Sequence, residues 1–463
     1  YIDPPYNTGN EGWIYNDNVN DPKIKKWLGE VVGKEGEDLS RHDKWLCMMY
    51  PRLVLLQKLL AEDGAIFISI DDNEHANLLL VCNEIFGSNN FIQDIIWNKR
   101  VSPARDAKFF STDHEYILVY SKNKESLTTH FLPRTEKNNS YYKNPDNDPR
   151  GPWNSAAYTC NKSRDERPNL YYPITNPYTG EKIFPKESAV WAYSEETYQQ
   201  HVRDNLLYWG VNGEAKQPRK KAFLSEVGDV VPRSVWSHSD VGSTQKATME
   251  NNTIFNMRAF SYPKVSTLVE RIIQIASDKD SIVLDSFAGS GTTAHAVLNM
   301  NKSDGGNRKF ILVEMGDYAD TITAERVKRV INGYGEGKNA VEGTGGNFSY
   351  YELGNPLFMQ DGTINDEVDI TEVRKYVWYT ETNGIEYKED IQEKYFLGSY
   401  NDTAYYFYYE KDRVTILDYE FLTSVHKKEQ TYVMYADSCA LSDSDLQKWN
   451  ITFKKIPRDI EHI

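Results

Sequence analysis

Ser281-Ile282-Val283-Leu284-Asp285-Ser286-Phe287-Ala288-Gly289-Ser290-Gly291-Thr292-Thr293 runs from an apolar stretch, through a glycine-rich turn, into helix-forming sequence. Residues 281–285 predict a buried strand and residues 291–300 the helix after it. Strand, turn and helix in that order leave backbone amides free at a helix N-terminus, where a carboxylate or phosphate is stabilised. Gly289 and Gly291 let the backbone approach a ligand closely. The next apolar run, Phe310-Ile311-Leu312-Val313-Glu314, predicts a second strand ending on an acid 29 positions after Asp285. In dinucleotide sites such an acid, at about 20 positions, accepts hydrogen bonds from ribose hydroxyls. The polar stretch 301–309 absorbs the surplus. The spacing is GxG, not GxGxxG, and there is no GK[ST], which weakens dinucleotide and triphosphate readings. A structural tight turn would use the same glycines. Strand, helix and Glu314 together favour a nucleoside-like cofactor.

Periodic segments surround this turn. Residues 42–62 place Trp45, Met48, Met49, Leu53, Leu56 and Leu60 at threes and fours, which predicts a helix. Residues 65–70 predict a buried parallel strand, 74–86 a helix, and 91–97 and 115–121 two further strands. Helices are expected at 266–277 and 320–332. Alternating helix and strand predicts an α/β sheet. Between 122 and 255 the pattern breaks into Pro, Asn, Tyr and charged residues, either an inserted domain or long functional loops. Residues 333–346 read as a linker and 347–463 as a separate small domain. Its run Tyr405-Tyr406-Phe407-Tyr408-Tyr409 predicts a strand with one packed face.

The chain has 463 residues, 40% of them hydrophobic, enough for two or three cores. No run of about 18 apolar residues predicts a membrane span, and no secretory signal opens the sequence. The four cysteines, Cys47, Cys82, Cys160 and Cys439, form no metal spacing, so no metal is expected and a reducing cytoplasm fits. A net charge of −15 argues mildly against nucleic acid. Yet Lys99, Arg100, Arg105 and Lys108, then Lys216, Arg219, Lys220 and Lys221, are locally basic, which is compatible with a DNA cleft on an acidic body.

Asp3-Pro4-Pro5-Tyr6-Asn7 is the second segment that can carry chemistry. Two prolines fix the backbone and remove two N–H donors. The Asp3 carboxylate and nearby carbonyls remain as acceptors, suited to an exocyclic amine, and Tyr6 offers a face for a base. In isolation, a Pro-rich terminal turn is the favoured reading of these residues.

Taken together, the two segments resemble the amino-methyltransferases of DNA. Ile2-Asp3-Pro4-Pro5-Tyr6-Asn7-Thr8-Gly9 is similar to their catalytic motif, and Asp285 to Gly291 to their FxGxG cofactor motif. Catalytic motif first, long insert, cofactor motif last is the order of the circularly permuted β-class. Within that class the chain resembles the modification (Mod) subunits of type III restriction–modification systems and their solitary relatives, which implies a role in restriction–modification or as a solitary methylase. The segments 43–53, Ser69-Ile70-Asp71-Asp72-Asn73-Glu74 and His114-Glu115-Tyr116 carry this resemblance, well over residues 1–334 and loosely beyond. Tyr262-Pro263-Lys264 resembles a motif that binds the amino acid end of the cofactor, although Val265 replaces the usual second Pro.

The resemblance implies a permuted, Rossmann-like S-adenosylmethionine-dependent methyltransferase fold with an inserted target recognition domain and a small C-terminal α+β domain. The expected divisions are a catalytic half (1–121), a target recognition insert (122–255), a cofactor half (256–334) and an accessory domain (347–463). It implies Asp3, Pro4, Pro5 and Tyr6 as catalytic residues. S-adenosyl-L-methionine would be bound by Asp285, Phe287, Ala288, Gly289, Ser290, Gly291, Thr292, Glu314 and Lys264. Double-stranded DNA is the implied substrate, with adenine N6 the acceptor because cytosine-N4 relatives more often carry Ser in place of Asp3. A non-catalytic DNA-binding subunit is the rival class. A restriction subunit or a second copy of the chain is the implied partner. The resemblance also implies that further residues of the same domain precede Tyr1. Three smaller expectations concern residues outside the motifs. The cluster 216–221 either meets DNA phosphates or is a solvated surface loop, His114-Glu115 could pair in a site although a structural role is favoured, and Asp71 and Asp72 are divided between capping and cofactor contact.

Overall fold

Each apolar run between residues 36 and 121 becomes one element of a layered α/β unit. The computed structural model describes residues 1–8, 36–105, 107–359, 361–388 and 393–460; the turn-rich stretch after Thr8 lies outside them. Helix α1 (Gly36–Leu59) turns Trp45, Met48, Met49, Leu53 and Leu56 into the core, the set at threes and fours. Strand β1 (Ala65–Ile70) follows, then α2 (His75–Cys82), a wide helical turn (Asn83–Gly87), β2 (Phe91–Asn98) and β3 (His114–Ser121).

Short elements then take over. Strand β4 (Trp153–Ala157), helix α3 (Glu195–Arg203), and strands β5 (Leu207–Tyr208) and β6 (Arg219–Phe223) surround a small aromatic core of Tyr158, Tyr172, Trp191, Tyr198 and Trp209. Regular structure resumes with β7 (Val235–Trp236), α4 (Thr244–Phe255), α5 (Ser266–Ala276), β8 (Ile282–Asp285), α6 (Thr292–Asp304), β9 (Lys309–Leu312) and α7 (Glu325–Asn332).

Two sets of strands meet at the opening dipeptide. On one side β1 pairs antiparallel with β3, β3 antiparallel with β2, and β2 parallel with β7. On the other, β8 and β9 are parallel. Ile2 pairs in parallel with Ile68 of β1, its N–H 3.0 Å from the Phe67 carbonyl. The Tyr1 nitrogen lies 3.1 Å from the Leu284 carbonyl of β8. The order across the sheet is therefore β9, β8, Tyr1-Ile2, β1, β3, β2, β7. Strand β1, expected to be parallel, is so toward Ile2 and antiparallel toward β3. Helices cover both faces: Ile66, Ile68 and Ile70 pack with α1 and α2, and Phe67 packs with α5. This is the Rossmann-like α/β arrangement. Asp3, the turn after β8 and the start of β3 all fall at one edge of the sheet, because β3 runs opposite to its neighbours there.

Residues 1–348 form one compact unit and 349–463 another. The stretch 333–346 is not a free linker. Residues 333–334 pair with 341–342, and the N–H groups of Thr344 and Gly345 each lie 3.0 Å from carbonyls of α7. The second unit contains α8 (Ile370–Thr382), β10 (Phe396–Tyr400), β11 (Thr403–Phe407), α9 (Tyr419–Thr423), β12 (Thr431–Ala436), α10 (Asp443–Lys448) and β13 (Ile451–Lys455). Its sheet runs β10-β11-β12-β13, antiparallel only at the first pair. The aromatic run has two packed faces, not one. Tyr405 and Phe407 join Trp378 on one side, and Tyr406 joins Leu417 and Phe421 on the other. A strand buried on both faces has no reason to alternate with polar residues. Among the described residues no helix is long and apolar enough to cross a membrane.

Trp97 shows how the first unit is tied together. It is fully buried in β2, and its Nε1–H donates to the Gly242 carbonyl at 3.0 Å, just before α4. Trp97→Ala is expected to lower unfolding free energy by about 3–5 kcal/mol in urea titration. Trp97→Phe should cost less, about 1–3 kcal/mol, from the carbonyl left unpaired.

Candidate active site

Ile2 ends as a strand inside the sheet, and Asp3 is the first residue to emerge from it. The Lys264 ammonium lies 2.7 Å from each oxygen of the Asp3 carboxylate. It also donates to the Tyr6 hydroxyl at 2.9 Å and stands 4.8 Å from the centre of the Tyr6 ring. The Tyr6 hydroxyl is within hydrogen-bond reach of both Asp3 Oδ1 (2.9 Å) and Glu115 Oε2 (3.0 Å). Lys99 completes the cluster, donating to Glu115 Oε1 at 2.9 Å. Two carboxylates and two ammonium groups thus balance in a largely buried space.

Burial sets the ionisation of this cluster. It pushes the Asp3 carboxyl above its usual range against the pull of Lys264. Burial also opposes ionisation of Glu115, but Lys264 and Lys99 outweigh it and hold that carboxyl low. Burial works against the Lys264 ammonium as well, yet Asp3 and Glu115 keep its pKa raised. Burial and the two carboxylates raise Tyr6 well above an ordinary phenol.

The rest of the motif is pinned from outside. Trp45 Nε1–H donates to the Pro5 carbonyl at 2.7 Å. Asn7 adopts the left-handed region (φ 58°), and its amide donates to Glu74, a fully buried acid that also bonds His42 (2.6 Å) and Asn77 (2.8 Å). Among the described residues, nothing donates to the Pro4 carbonyl.

The glycine turn lies beside this cluster. Gly289 and Gly291 have φ of +52° and +81°, where a side chain is strained. A Cβ on Gly291 would come within 2.9 Å of the Thr323 carbonyl. Glu314 grips the turn, accepting from Gly289 N–H at 2.7 Å and Gly316 N–H at 2.8 Å. Asp285 is turned inward. Its oxygens accept from Phe287 N–H (3.0 Å) and the Thr293 hydroxyl (2.5 Å), and burial pushes its carboxyl up to about 6. Phe287, Ala288, Ser290 and Thr292 are also buried. Of the expected cofactor residues, Gly289, Glu314 and Lys264 are the ones not fully buried. The Ser286 hydroxyl is buried there and has no partner among the described residues.

Several contributors went unread in the sequence. Arg326 is fully buried beneath the turn and donates to Ser290 (2.8 Å), Thr292 (2.8 Å) and Glu250 (3.1 Å). His295 Nδ1, 3.1 Å away, accepts as a neutral ring; burial and then Arg326 depress its pKa to about 3. Glu115, expected to be structural, belongs to the Asp3 cluster. Its signal was its phase with Ile117 and Val119 on a buried strand face. Asp71 closes a local turn, accepting from Asn73 N–H at 3.0 Å. The cluster 216–221 is corrected in part. Lys221 is buried against Asp146 (2.5 Å) and Asp148 (2.9 Å) and cannot reach a phosphate. Arg219 donates to Ser155, whereas Lys216 remains exposed.

A DNA methylase family model, N6_N4_Mtase, matches residues 1–325. The chain is 36% identical over 358 residues to the type III restriction-modification enzyme StyLTI Mod subunit of Salmonella typhimurium strain LT2, covering 71% of this chain and 53% of that protein. It is 33% identical over 351 residues to the EcoPI Mod subunit of Escherichia phage P1, covering 68% and 53%. It therefore spans about half the length of these two relatives. The type II methyltransferase M.KpnI of Klebsiella pneumoniae is 34% identical over 333 residues, 68% of this chain and 74% of its own. The family match takes in the Asp3 motif, Lys264 and the glycine turn alike, and the chain belongs to this family of DNA methylases.

Proposed function

We propose that this protein is a site-specific DNA methyltransferase that transfers a methyl group from S-adenosylmethionine to adenine N6 of a flipped-out base. The observation that carries the reading is the Asp3 carboxylate, held beside a Pro4 carbonyl to which no described residue donates, at the sheet edge that also bears the glycine turn. The residues present fit the cofactor. Glu314 has acceptor capacity for ribose hydroxyls beyond its two amide bonds, Gly289 keeps the backbone approachable, and the Ser286 hydroxyl is unspent. Lys264 would hold the cofactor's carboxylate. When bound, S-adenosylmethionine supplies an electrophilic sulfonium methyl.

The protein's own part is positioning and electrostatics. An exocyclic amine is a weak nucleophile because its lone pair is shared with the ring. Hydrogen bonds from its two N–H groups to Asp3 and the Pro4 carbonyl would localise that pair on nitrogen. Asp3 need only accept, since the nitrogen turns acidic as the new N–C bond forms. Lys264 already bonds both Asp3 oxygens and lies over one face of the Tyr6 ring, so the amine would use the lone pairs left on that carboxylate or displace the ammonium. Glu115 keeps a second carboxylate within 3.5 Å of that ammonium. The flipped base costs a few kcal/mol to extrude.

Adenine is favoured over cytosine N4 by Asp3 itself, given the family preference for Ser in cytosine enzymes. Residues 122–255 are the proposed target recognition insert, with phosphate contacts from exposed cations such as Lys216 rather than Lys221. Residues 349–463 would contact a restriction subunit or a second copy, as the names of the two Mod relatives suggest. The proposed setting is the cytoplasm, where host DNA is reached.

Incubation with labelled cofactor and host DNA, followed by nucleoside digestion, should yield N6-methyladenine. Label in N4-methylcytosine would select the cytosine reading, and no label in either would reject the proposal. Asp3→Ala should lose at least about 100-fold in single-turnover rate while retaining cofactor binding by calorimetry. The wild-type rate needs the Asp3 carboxylate ionised. Because burial raises that pKa, the acid limb of the pH–rate profile should lie above the ordinary Asp value of about 3.9, with activity lost as pH falls through it. An acid limb below that value would contradict the assignment.

A further inference from the structure

The loop between β2 and β3 is built like a tool, and the chemistry described so far does not use it. It leaves the sheet at the edge where Asp3 emerges, and its first residue, Lys99, reaches Glu115 in the cluster. Its base is closed. Lys99 N–H donates to the Asp113 carbonyl at 2.9 Å, and Ala104 N–H donates to the Ser111 hydroxyl at 2.7 Å. That hydroxyl in turn donates to the Asp113 carboxylate at 2.5 Å. On this pinned base stand two phenylalanines, Phe109 at 82% and Phe110 at 92% exposure. Two adjacent large apolar side chains held in water are costly, at about 25 cal/mol per Å² of apolar surface, unless a partner covers them. Arg100, Arg105 and Lys108 of the same loop are exposed, and the Lys108 ammonium lies 5.2 Å from the Phe109 ring centre. Apolar side chains on a loop that also carries exposed cations complement one polymer well: a stack of flat bases between two rows of phosphates.

We propose that this loop is a wedge, with Phe109 and Phe110 entering the base stack of duplex DNA beside the target and filling the space its extrusion leaves. Arg100, Arg105 and Lys108 pair with the flanking phosphates. The wedge rests on the DNA methyltransferase reading and adds to it the residues that offset the cost of flipping. An apolar tip on a cationic loop that starts at the acceptor cluster is placed for that task, whereas a tip serving protein contact has no need to share the edge with Asp3.

The test uses the full chain and two duplexes carrying its mapped methylation site. In one the target adenine is paired normally; in the other it faces an abasic position, which removes most of the pairing to be broken. Phe109→Ala/Phe110→Ala should lose about tenfold or more in kcat/KM on the paired duplex and little on the abasic one. Phe109→Leu/Phe110→Leu should recover most of the loss. Unchanged cofactor affinity confirms that the variant is folded, as expected for side chains this exposed. Equal losses on both duplexes, no loss on either, or a changed oligomeric state with the ratio of the two rates unaltered would overturn the wedge. If the wild type methylates neither duplex, the methyltransferase reading fails and the wedge falls with it.

Discussion

The ion pair between Lys264 and Asp3 joins residues 261 positions apart and is the contact on which the rest of the site depends. Neither charge would be tolerable alone in so little solvent. Removing one partner of such a pair typically costs about 3–5 kcal/mol, because the other is left buried and uncompensated. The pair therefore demands that residues 1–8 and the segment before α5 arrive together. It also holds Tyr6, whose hydroxyl accepts from Lys264 and lies within hydrogen-bond reach of Asp3 and Glu115. The same contact sets a condition on chemistry. The carboxylate that a substrate amine would need is shared with an internal cation, so the amine would take its remaining lone pairs or compete with Lys264 for them.

Arg326 plays the corresponding part under the glycine turn. Its guanidinium gathers Ser290, Thr292, Glu250 and His295 from two helices and the turn. Planar, permanently charged and multiply bonded, it stiffens the loop from below while Glu314 holds it from the side. The cleft is thus shaped by groups that face away from it. Asp285, Ser290 and Thr292 position the backbone; Gly289 and Glu314 present it.

Much of this was legible in the sequence because period and burial coincide there. The strands at 65–70, 91–98 and 282–285 are short stretches dominated by apolar residues, and α5 repeats at threes and fours. Asp3-Pro4-Pro5-Tyr6 and the glycine turn were readable as chemistry because few other arrangements use those residue types. Glu115 and Arg326 were not. Each sits in phase with an apolar stripe, Glu115 with Ile117 and Val119, Arg326 with Val330. A charge on such a stripe looks like an interruption until its partner, far off in sequence, is known. Lys221 misled for the converse reason. A run of cations reads as surface, and nothing local reveals the Asp146 and Asp148 that bury it. The insert was opaque because its strands are two to five residues long, too short for a period to show.

The position of Tyr1-Ile2 between β8 and β1 carries one more consequence. A strand with neighbours on both sides has its register set twice, by Leu284 on one flank and by Phe67 and Ser69 on the other. Side chains alternate with a period of two, so a slip of a single residue would send Asp3 to the opposite face of the sheet. The aim of one carboxylate is therefore a vote between two stretches of chain that lie far apart in sequence, and it points into the cleft only where both agree.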